Sequence, residues 1–330
     1  VTDDELDLMD FSQWQGEYKY DGIRVQMVAS SQGIGMFSRT GDDIAHSFPD
    51  VIELWQNTGI HGVFDGELLA FTEDDIATFN QLQQRLNKKK PTKKLMNDIP
   101  CGLIIYDCIA LGSDAQRRSL VELPLSERHK LFTEVMTPVT QHRLRLSPPL
   151  VIDSKDHCIR LRDEVCEQSG QRIEGLMLKR KASLYVPGRP KGQWVKFKRD
   201  PMLIDAVIMY AQRGHGKRSS FYSDYTFGCW ATNDAGERVI LPIGKAYSGF
   251  TDAELHEIDK WVRKNTIGRF GPVKEVAKEL VFEVAFDAVH YSKRHKSGVA
   301  LRFPRIHRIR WDKPANEADE LETLVGMIAQ

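Results

Sequence analysis

The chain has 330 residues, of which 41% are hydrophobic and 28% are charged. This balance is typical of globular proteins and excludes disordered, collagen-like and membrane-spanning chains, and the length favours two domains. Zero net charge, from 46 basic and 46 acidic residues, argues against a generic nucleic-acid binder. The charge is nevertheless segregated, because three strongly basic windows could build a surface for a polyanion: 85–94, 171–200 and 291–313.

The first 200 residues alternate short apolar runs with amphipathic patterns, which predicts a mixed α+β domain. Residues 74–86 have helical periodicity, and a second helix is expected from Ser154 to Ser169. Five runs have the composition of β-strands: 22–29, 62–71, 101–111, 175–180 and 194–198.

The pattern changes after Asp200-Pro201, where we place the domain boundary. Five short strand-like runs follow, and one helical segment interrupts them, with Thr251 and Glu254 at the spacing of a capping box. This combination predicts a small β-barrel of the OB-fold type, followed by a terminal helix. We therefore expect domains at 1–200 and 201–330.

The amino terminus and the cysteines both give information about the cellular location of the protein. The first ten residues are acidic and contain neither an apolar core nor an initiator Met, so we expect no signal peptide and a chain cut from something longer. The five cysteines are odd in number and form no C-x-x-C pair, which favours buried thiols over disulfides or a zinc site. Both features indicate an intracellular, cytoplasmic protein.

No common phosphate-binding loop is present, since the sequence contains neither a Walker motif nor a G-x-G-x-x-G after a strand. A different motif that could react with a nucleotide is EYKYDGIR at 17–24, where Lys19 precedes an Asp-Gly pair and Arg24 follows it. A lysine amine attacks phosphorus only when deprotonated, which nearby cations and partial burial promote. On its own the short pattern has little specificity and also suits a charged turn that enters a strand.

Five further segments each add a polar or aromatic side chain to a strand or turn. They supply an arginine for a ribose or a DNA backbone, two strand carboxylates, a ring for base stacking and three strand lysines. Such a set suits metal-assisted phosphoryl transfer on a nucleotide, although the first carboxylate and the ring could instead be structural. The residues are Arg39, Glu67, Tyr106, Glu174, Lys179, Lys196 and Lys198.

With these motifs in this order, the sequence resembles the ATP-dependent DNA ligases of the covalent nucleotidyltransferase superfamily. The likeness runs from about residue 15 to 325 and includes KYDGIR, FSRTG, DGE, IIYDCIAL, EGLMLK and WVKFK, then LRFPRIHRIRWDKP at 301–314. It is most similar to bacterial ligases associated with a large helicase and an end-processing nuclease. Those ligases carry an N-terminal DNA-binding domain before the nucleophile, and we expect the full-length protein to carry one ahead of this sequence. Many of them have a charged residue in place of Trp311.

The resemblance implies a fold and a reaction. The fold is a nucleotidyltransferase domain of ATP-grasp-like antiparallel sheets with helices at 1–200, followed by an OB-fold β-barrel domain at 201–330. The reaction is the sealing of 5′-phosphate/3′-hydroxyl nicks in duplex DNA with ATP and Mg²⁺ or Mn²⁺, through lysyl-AMP and DNA-adenylate intermediates. We further expect a monomer without membrane contact, cytoplasmic and associated with the bacterial nucleoid.

The resemblance also implies a role for each matching residue. Lys19 would accept AMP, and Glu17 would read the amino group of adenine. Tyr106 and Met177 would pack against the base, and Arg24 and Arg39 would contact the ribose, the phosphates or the nick. Glu67 and Glu174 would lie near the ribose and a divalent metal. The α-phosphate would be contacted by Lys179, Lys196 and Lys198, and the departing pyrophosphate would be oriented by Arg308, Arg310 and Lys313.

Two alternatives and one separate prediction remain. The chain could be an RNA ligase or an mRNA-capping-type nucleotidyltransferase, or a non-catalytic nucleic-acid-binding module. Separately, the loop at 211–220 combines two glycines with Arg213, Lys217 and Arg218, which predicts contacts to DNA phosphates. A solvated hairpin tip would have the same composition.

Overall fold

The computed structural model describes residues 1–86, 88–169, 172–188, 190–214, 220–247 and 251–328. The chain divides into two compact units, Val1–Arg199 (unit 1) and Asp200–Gln330 (unit 2). Among the described residues, no helix combines the length and apolar character needed to cross a bilayer. All five cysteines are buried free thiols, as the sequence predicts.

Unit 1 combines two sheets with helices, so the predicted α+β class is confirmed. Its strands are β1 (Trp14–Tyr20), β2 (Ile23–Ser30), β3 (Gly33–Ser38), β4 (Gly62–Ala70), β5 (Cys101–Leu111), β6 (Arg118–Ser119), β7 (Leu144–Leu146), β8 (Ile173–Arg180) and β9 (Trp194–Lys198). Its helices are α1 (Pro49–Gln56), α2 (Phe79–Leu86), α3 (Lys93–Asp98), α4 (Leu125–Met136) and α5 (Lys155–Gln168). One sheet has the order β1-β8-β9, and the other has the order β3-β2-β4-β5-β6 with β7 parallel to β5.

The two larger apolar cores of unit 1 hold its sheets in place. The larger sheet packs against α1 and α4 through Trp55, Phe64 and Phe132, all buried. One face of the β1-β8-β9 sheet carries Leu176 and Phe197, and this face packs in a second core that includes Cys158 of α5. Because strand side chains alternate, the other face of this sheet is left for polar residues.

Unit 2 is built around a closed barrel. Its strands are β10 (Met202–Arg213), β11 (Tyr222–Thr232), β12 (Arg238–Tyr247), β13 (Thr266–Phe270), β14 (Val273–Val276), β15 (Val281–Phe286), β16 (Ala288–Tyr291), β17 (Val299–Arg302) and β18 (Arg305–Arg310), and its helices are α6 (Asp252–Lys264) and α7 (Leu321–Val325). Strand pairing runs β10-β11-β12-β18-β15 and returns to β10. Five strands closed in this way, with a helix after the third, form the predicted OB-fold.

The helix α6 begins where the capping box predicts. The Thr251 hydroxyl accepts a hydrogen bond from the Glu254 N–H at 3.3 Å, and the Glu254 carboxylate accepts one from the Thr251 N–H at 2.8 Å. The inner face of the helix, with Leu255, Ile258 and Val262, is buried. These contacts fix α6 against the barrel core.

Candidate active site

The polar face of the β1-β8-β9 sheet carries several of the residues predicted to form the site. Residues directly opposite one another on neighbouring strands share a face and lie side by side. The pairing registers therefore place side chains from all three strands in rows across this face. One row contains Gln15, Lys179 and Trp194, and the next contains Glu17, Met177 and Lys196.

Lys19 lies in β1, at an irregularity in the pairing of β1 with β8, and not in a turn before the strand. Opposite it Gly175 adopts a φ of 144°, and a Cβ there would lie 2.3 Å from the Phe197 carbonyl oxygen, so that only glycine fits. Strict alternation would put Glu174 on the opposite face of the sheet from Met177. The irregularity in the pairing is a β-bulge, which turns the Glu174 side chain toward the face that carries Lys19. The Glu174 carboxylate forms an ion pair with the Lys19 ammonium.

Glu67 reaches the same region from β4 of the larger sheet. Its Oε1 accepts a hydrogen bond from the Gly22 N–H at 3.2 Å, in the turn that joins β1 to β2. Burial raises the pKa of the Glu67 carboxyl to about 7; the Lys19 charge and the Gly22 N–H oppose this rise, and Glu174 adds to it. The carboxyl groups of Glu67 and Glu174 therefore both interact electrostatically with the Lys19 ammonium.

Glu17 is buried, with 1% of its surface exposed. Its Oε2 forms an ion pair with Lys179 Nζ at 2.7 Å and accepts a hydrogen bond from Gln15 Nε2 at 3.3 Å. Lys179 Nζ lies 4.5 Å from the Tyr106 ring centre and 4.1 Å from that of Trp194. Glu17 Oε1 is buried without a hydrogen-bond partner in the described part of the chain. Because an unpaired buried carboxylate oxygen is costly, this atom indicates a ligand that donates a hydrogen bond.

Tyr106 forms part of the wall around Lys179. It lies on β5 at a shift in the register with β4, and its ring meets Trp194 edge-on with the centres 6.3 Å apart. Burial raises the pKa of the Tyr106 phenol well above its usual value. Packing of Tyr106 against a base stays a prediction.

Arg24 takes part in a network that the sequence did not reveal. Its guanidinium donates to Asp65 Oδ2 at 2.9 Å, and the Tyr185 hydroxyl donates to the same oxygen at 2.7 Å. In the sequence, the one feature that could have indicated this network is the position of Asp65 in the DGE segment. Arg39, in contrast, is exposed in the turn after β3, and no ion pair or hydrogen bond joins its side chain to the other candidates within the described residues.

The remaining unit 1 candidates bear on phosphate and metal binding. Lys196 is exposed on β9 and Lys198 is partly buried. No group of three or more His, Cys, Asp or Glu side chains in the described ranges is arranged to hold a metal ion. Mg²⁺ is commonly held by one or two carboxylates together with substrate phosphates, so Glu67 and Glu174 fit a cation of this kind.

The predicted pyrophosphate contacts lie in unit 2, where carboxylates neutralise them. Arg308 on β18 is opposite Glu283 on β15, and its Nε lies 3.2 Å from Glu283 Oε1. Lys313 Nζ and an Arg310 guanidinium nitrogen lie 2.6 Å and 3.4 Å from Asp205 Oδ2. The sequence shows these cations but not their partners, and their role toward pyrophosphate stays a prediction.

Of the three cations predicted in the DNA-binding loop, the structure describes Arg213. This residue ends β10, is exposed, and holds its guanidinium carbon 5.5 Å from the Tyr222 ring centre. Lys217 and Arg218 lie outside the described residues.

Two family models match the chain in succession. The model of the ATP dependent DNA ligase domain matches residues 3–198, and that of the ATP dependent DNA ligase C terminal region matches residues 218–313. The chain belongs to the ATP-dependent DNA ligase family. The resemblance inferred from the ordered motifs is thereby confirmed.

Named relatives agree with this membership. A "Probable DNA ligase" of Koribacter versatilis is 38% identical over 330 aligned residues, which cover 93% of this chain and 55% of the relative. A "DNA ligase" of Archaeoglobus fulgidus is 30% identical, with 94% of this chain and 54% of the relative covered. The chain thus spans about half the length of these two relatives.

Solved structures show the same fold at low sequence identity. The structure named Pmar-Lig_PreS3 has a TM-score of 0.67 and 20% identity, over 90% of this chain and 63% of that one. A structure from an analysis of Lig E DNA ligases has a TM-score of 0.60 and 17% identity, over 92% of this chain and 94% of that one. These likenesses support the combination of a ligase nucleotidyltransferase fold with an OB-fold.

Proposed function

We propose that this chain is the catalytic core of an ATP-dependent DNA ligase that seals 5′-phosphate/3′-hydroxyl nicks in duplex DNA. The observation that carries the proposal is the position of Lys19, in contact with Glu174 and within the electrostatic influence of Glu67. Family membership supplies the reaction type, and this lysine is the group suited to accept a nucleotidyl group.

In the first step, Lys19 Nζ attacks the α-phosphorus of ATP. A P–N bond forms, and the bond from the α-phosphorus to the oxygen that leaves with pyrophosphate breaks. The ammonium must lose a proton for this attack, and Glu174, in direct contact with it, is positioned to accept one. Lys196 and Lys198 on β9 would offset the charge that develops on the phosphate oxygens.

Two further transfers complete the reaction. AMP passes from Lys19 to the 5′-phosphate at the nick, and the 3′-hydroxyl then displaces AMP to form the phosphodiester bond. Glu67 and Glu174 are the residues that would hold Mg²⁺ or Mn²⁺, which when bound with the nucleotide neutralises phosphate charge.

The Glu17 pocket supports the choice of nucleotide. Glu17 Oε1 is an acceptor without a donor, and the exocyclic amine of adenine supplies a donor. Arg24, held by Asp65, and the exposed Arg39 would contact ribose, phosphate or the nick. The family models favour this function over an RNA ligase, a capping enzyme or a non-catalytic module. A monomeric state and a cytoplasmic, nucleoid-associated location belong to the same proposal.

The test is adduct formation by the purified chain with ATP and Mg²⁺, followed by intact-mass measurement. We expect one added AMP per chain, and sealing of a nicked duplex when DNA is supplied. Lys19→Arg is the matched control, because it keeps the positive charge beside Glu174 but forms no stable adduct. An adduct on Lys19→Arg, or a wild-type chain that reacts with GTP in preference to ATP, would overturn the proposal.

A further inference from the structure

A buried carboxylate of β4, that of Asp65, is held by three hydrogen-bond donors. Asp65 has 1% of its surface exposed. Its Oδ2 accepts one bond from the Arg24 guanidinium at 2.9 Å and one from the Tyr185 hydroxyl at 2.7 Å. Its Oδ1 accepts a bond from Gln26 Nε2 at 3.1 Å. Both carboxylate oxygens are therefore occupied, and donors from separate parts of the chain fix the orientation of the group.

Arg24 lies beside the candidate active site because of its register. It is opposite Glu67 in the pairing of β2 with β4, so the two side chains share a face of the sheet. Its side chain is 46% exposed, and among the described residues its bond to Asp65 uses one nitrogen, Nη2. The other nitrogens of the guanidinium can donate to an anionic oxygen, and a phosphate is the substrate group that suits them best.

Tyr185 comes from the connection between β8 and β9, and the turn before it is bonded to helix α4. The Ser183 carbonyl oxygen accepts a hydrogen bond from the Leu125 N–H at 2.8 Å, and the Lys181 carbonyl oxygen accepts one from the Ser126 N–H at 3.0 Å. Both N–H groups belong to the first turn of α4, where backbone donors have no partner within the helix. The start of the helix thus holds the segment that leads to Tyr185.

A fully buried ion pair strengthens this anchor. Arg128 donates to both carboxylate oxygens of Asp107, at 2.9 Å and 3.0 Å, and neither side chain has any exposed surface. Its Nη1 also donates to the Ser183 carbonyl oxygen at 3.0 Å, and its guanidinium carbon lies 5.9 Å from the Tyr185 ring centre. Bidentate pairs have a defined geometry, so this guanidinium fixes the segment that carries Tyr185.

We propose that Tyr185 is a positioning residue that holds Arg24 toward a substrate phosphate. The tyrosine hydroxyl and the Arg24 guanidinium share Asp65 Oδ2, so the anchored tyrosine determines where that oxygen lies and hence where Arg24 is held. Without the hydroxyl, the carboxylate can rotate about its bond to Gln26, and Arg24 loses a fixed geometry. This inference rests on the proposed function, because that function supplies the phosphate.

The experiment compares Tyr185→Phe, which removes only the hydroxyl, with Arg24→Gln and with the double variant. Three rates are measured separately: AMP adduct formation with ATP, transfer of AMP to the 5′-phosphate at a nick, and sealing of a nick that is already adenylated. The matched control is Tyr225→Phe, which removes a buried hydroxyl that donates to the Tyr222 carbonyl oxygen in the barrel. The control should keep wild-type rates in all three assays.

We expect Tyr185→Phe to slow the same steps as Arg24→Gln, by about threefold to tenfold, because one hydrogen bond to a charged group is lost while the arginine remains. The double variant should react no more slowly than Arg24→Gln alone, since the tyrosine acts through the arginine. Losses that multiply in the double variant, or a set of slowed steps that differs from that of Arg24→Gln, would overturn the inference.

Urea unfolding of the same variants separates positioning from stability. If Tyr185→Phe lowers the free energy of unfolding but keeps wild-type rates, the hydroxyl is only structural and the inference is wrong. AMP adduct formation by the wild-type chain tests the proposed function separately. A wild-type chain that forms the adduct, while Tyr185→Phe does not follow Arg24→Gln, refutes this inference alone.

Discussion

At the scale of single residues, the proposed nucleotide site contains buried charge that is almost balanced. Glu17 and Lys179 form an ion pair with both side chains at most 3% exposed, and two aromatic rings surround the ammonium. Taking both charges out of water is expensive, and leaving Glu17 Oε1 without a donor adds to the cost. A bound ligand that donates a hydrogen bond to Glu17 Oε1 would offset this cost. The ion pair is therefore better explained by a role in ligand recognition than by a contribution to the stability of the fold.

We predict that Lys179→Met impairs the reaction with ATP at neutral pH by roughly tenfold or more, about 1.4 kcal/mol, because the buried Glu17 carboxylate loses its counter-ion. The measurement is the rate of AMP adduct formation against ATP concentration. Lys179→Arg keeps the charge and should retain more of the rate. Sealing of a nick that is already adenylated should be affected much less, and equal losses in the two assays would contradict a role in nucleotide recognition.

A second prediction concerns Glu67 and the dependence of stability on pH. Burial raises its folded pKa from 4.5 to about 7, so the folded state keeps this proton to a higher pH than the unfolded state. The unfolding free energy should therefore decrease as pH rises from about 5 to about 7, by about 3 kcal/mol from this group. Glu67→Gln should remove that decrease in urea unfolding at pH 5 and pH 8. The exposed Glu73→Gln is the control and should unfold with the wild-type pH dependence.

At the scale of elements, composition predicted the strands, but not how they are bent. The runs at 22–29, 62–71, 101–111, 175–180 and 194–198 each lie within a strand or extend at most one residue beyond it. The helix α5 begins one residue after the predicted start at Ser154, and α6 begins after the predicted capping-box residue Thr251. The helical pattern at 74–86 becomes a helix only from Phe79, because Ile76 forms a β-bridge with Phe71. The β13–β14 hairpin was missed, since its residues are too polar and glycine-rich for a strand signal. Alternation cannot reveal the bulge at Gly175 that brings Glu174 to Lys19.

The bulge itself can be tested with two glycines, one within β8 and one in the connection between β8 and β9. Gly175→Ala should destabilise unit 1 by several kcal/mol, because positive φ is unfavourable and the new Cβ would collide with the Phe197 carbonyl oxygen. Gly192 also has positive φ, 78°, but a Cβ there meets nothing within 4 Å, so Gly192→Ala should cost only about 1 kcal/mol. Urea unfolding gives the stabilities, and slower adduct formation is expected for Gly175→Ala. Similar costs for the two variants would contradict the assignment.

At the scale of the whole molecule, each unit has its own apolar core and its own charged region. Unit 1 holds the proposed nucleotide site around Glu17 and Lys179, and unit 2 holds the cations of the C-terminal motif. The sequence revealed where these cations occur along the chain. Their partners could not be inferred, because Asp205 is more than 100 residues from Lys313 and meets it only when the barrel closes. The sequence therefore shows these cations, and only the fold shows that carboxylates neutralise them.

The last prediction uses one of these cations, Arg308, to separate the steps of the reaction. If Arg308 orients departing pyrophosphate, Arg308→Gln should slow AMP adduct formation about tenfold or more and spare sealing of a nick that is already adenylated. Arg308 suits the test because it is 57% exposed and its loss strands no deeply buried charge. Arg305→Gln is the control on the same strand, paired with Asp287 at 3.0 Å and outside the predicted set. Pyrophosphate leaves only in the first step, so a contact that serves its departure cannot matter afterwards. Equal losses in both assays would instead place Arg308 on the DNA.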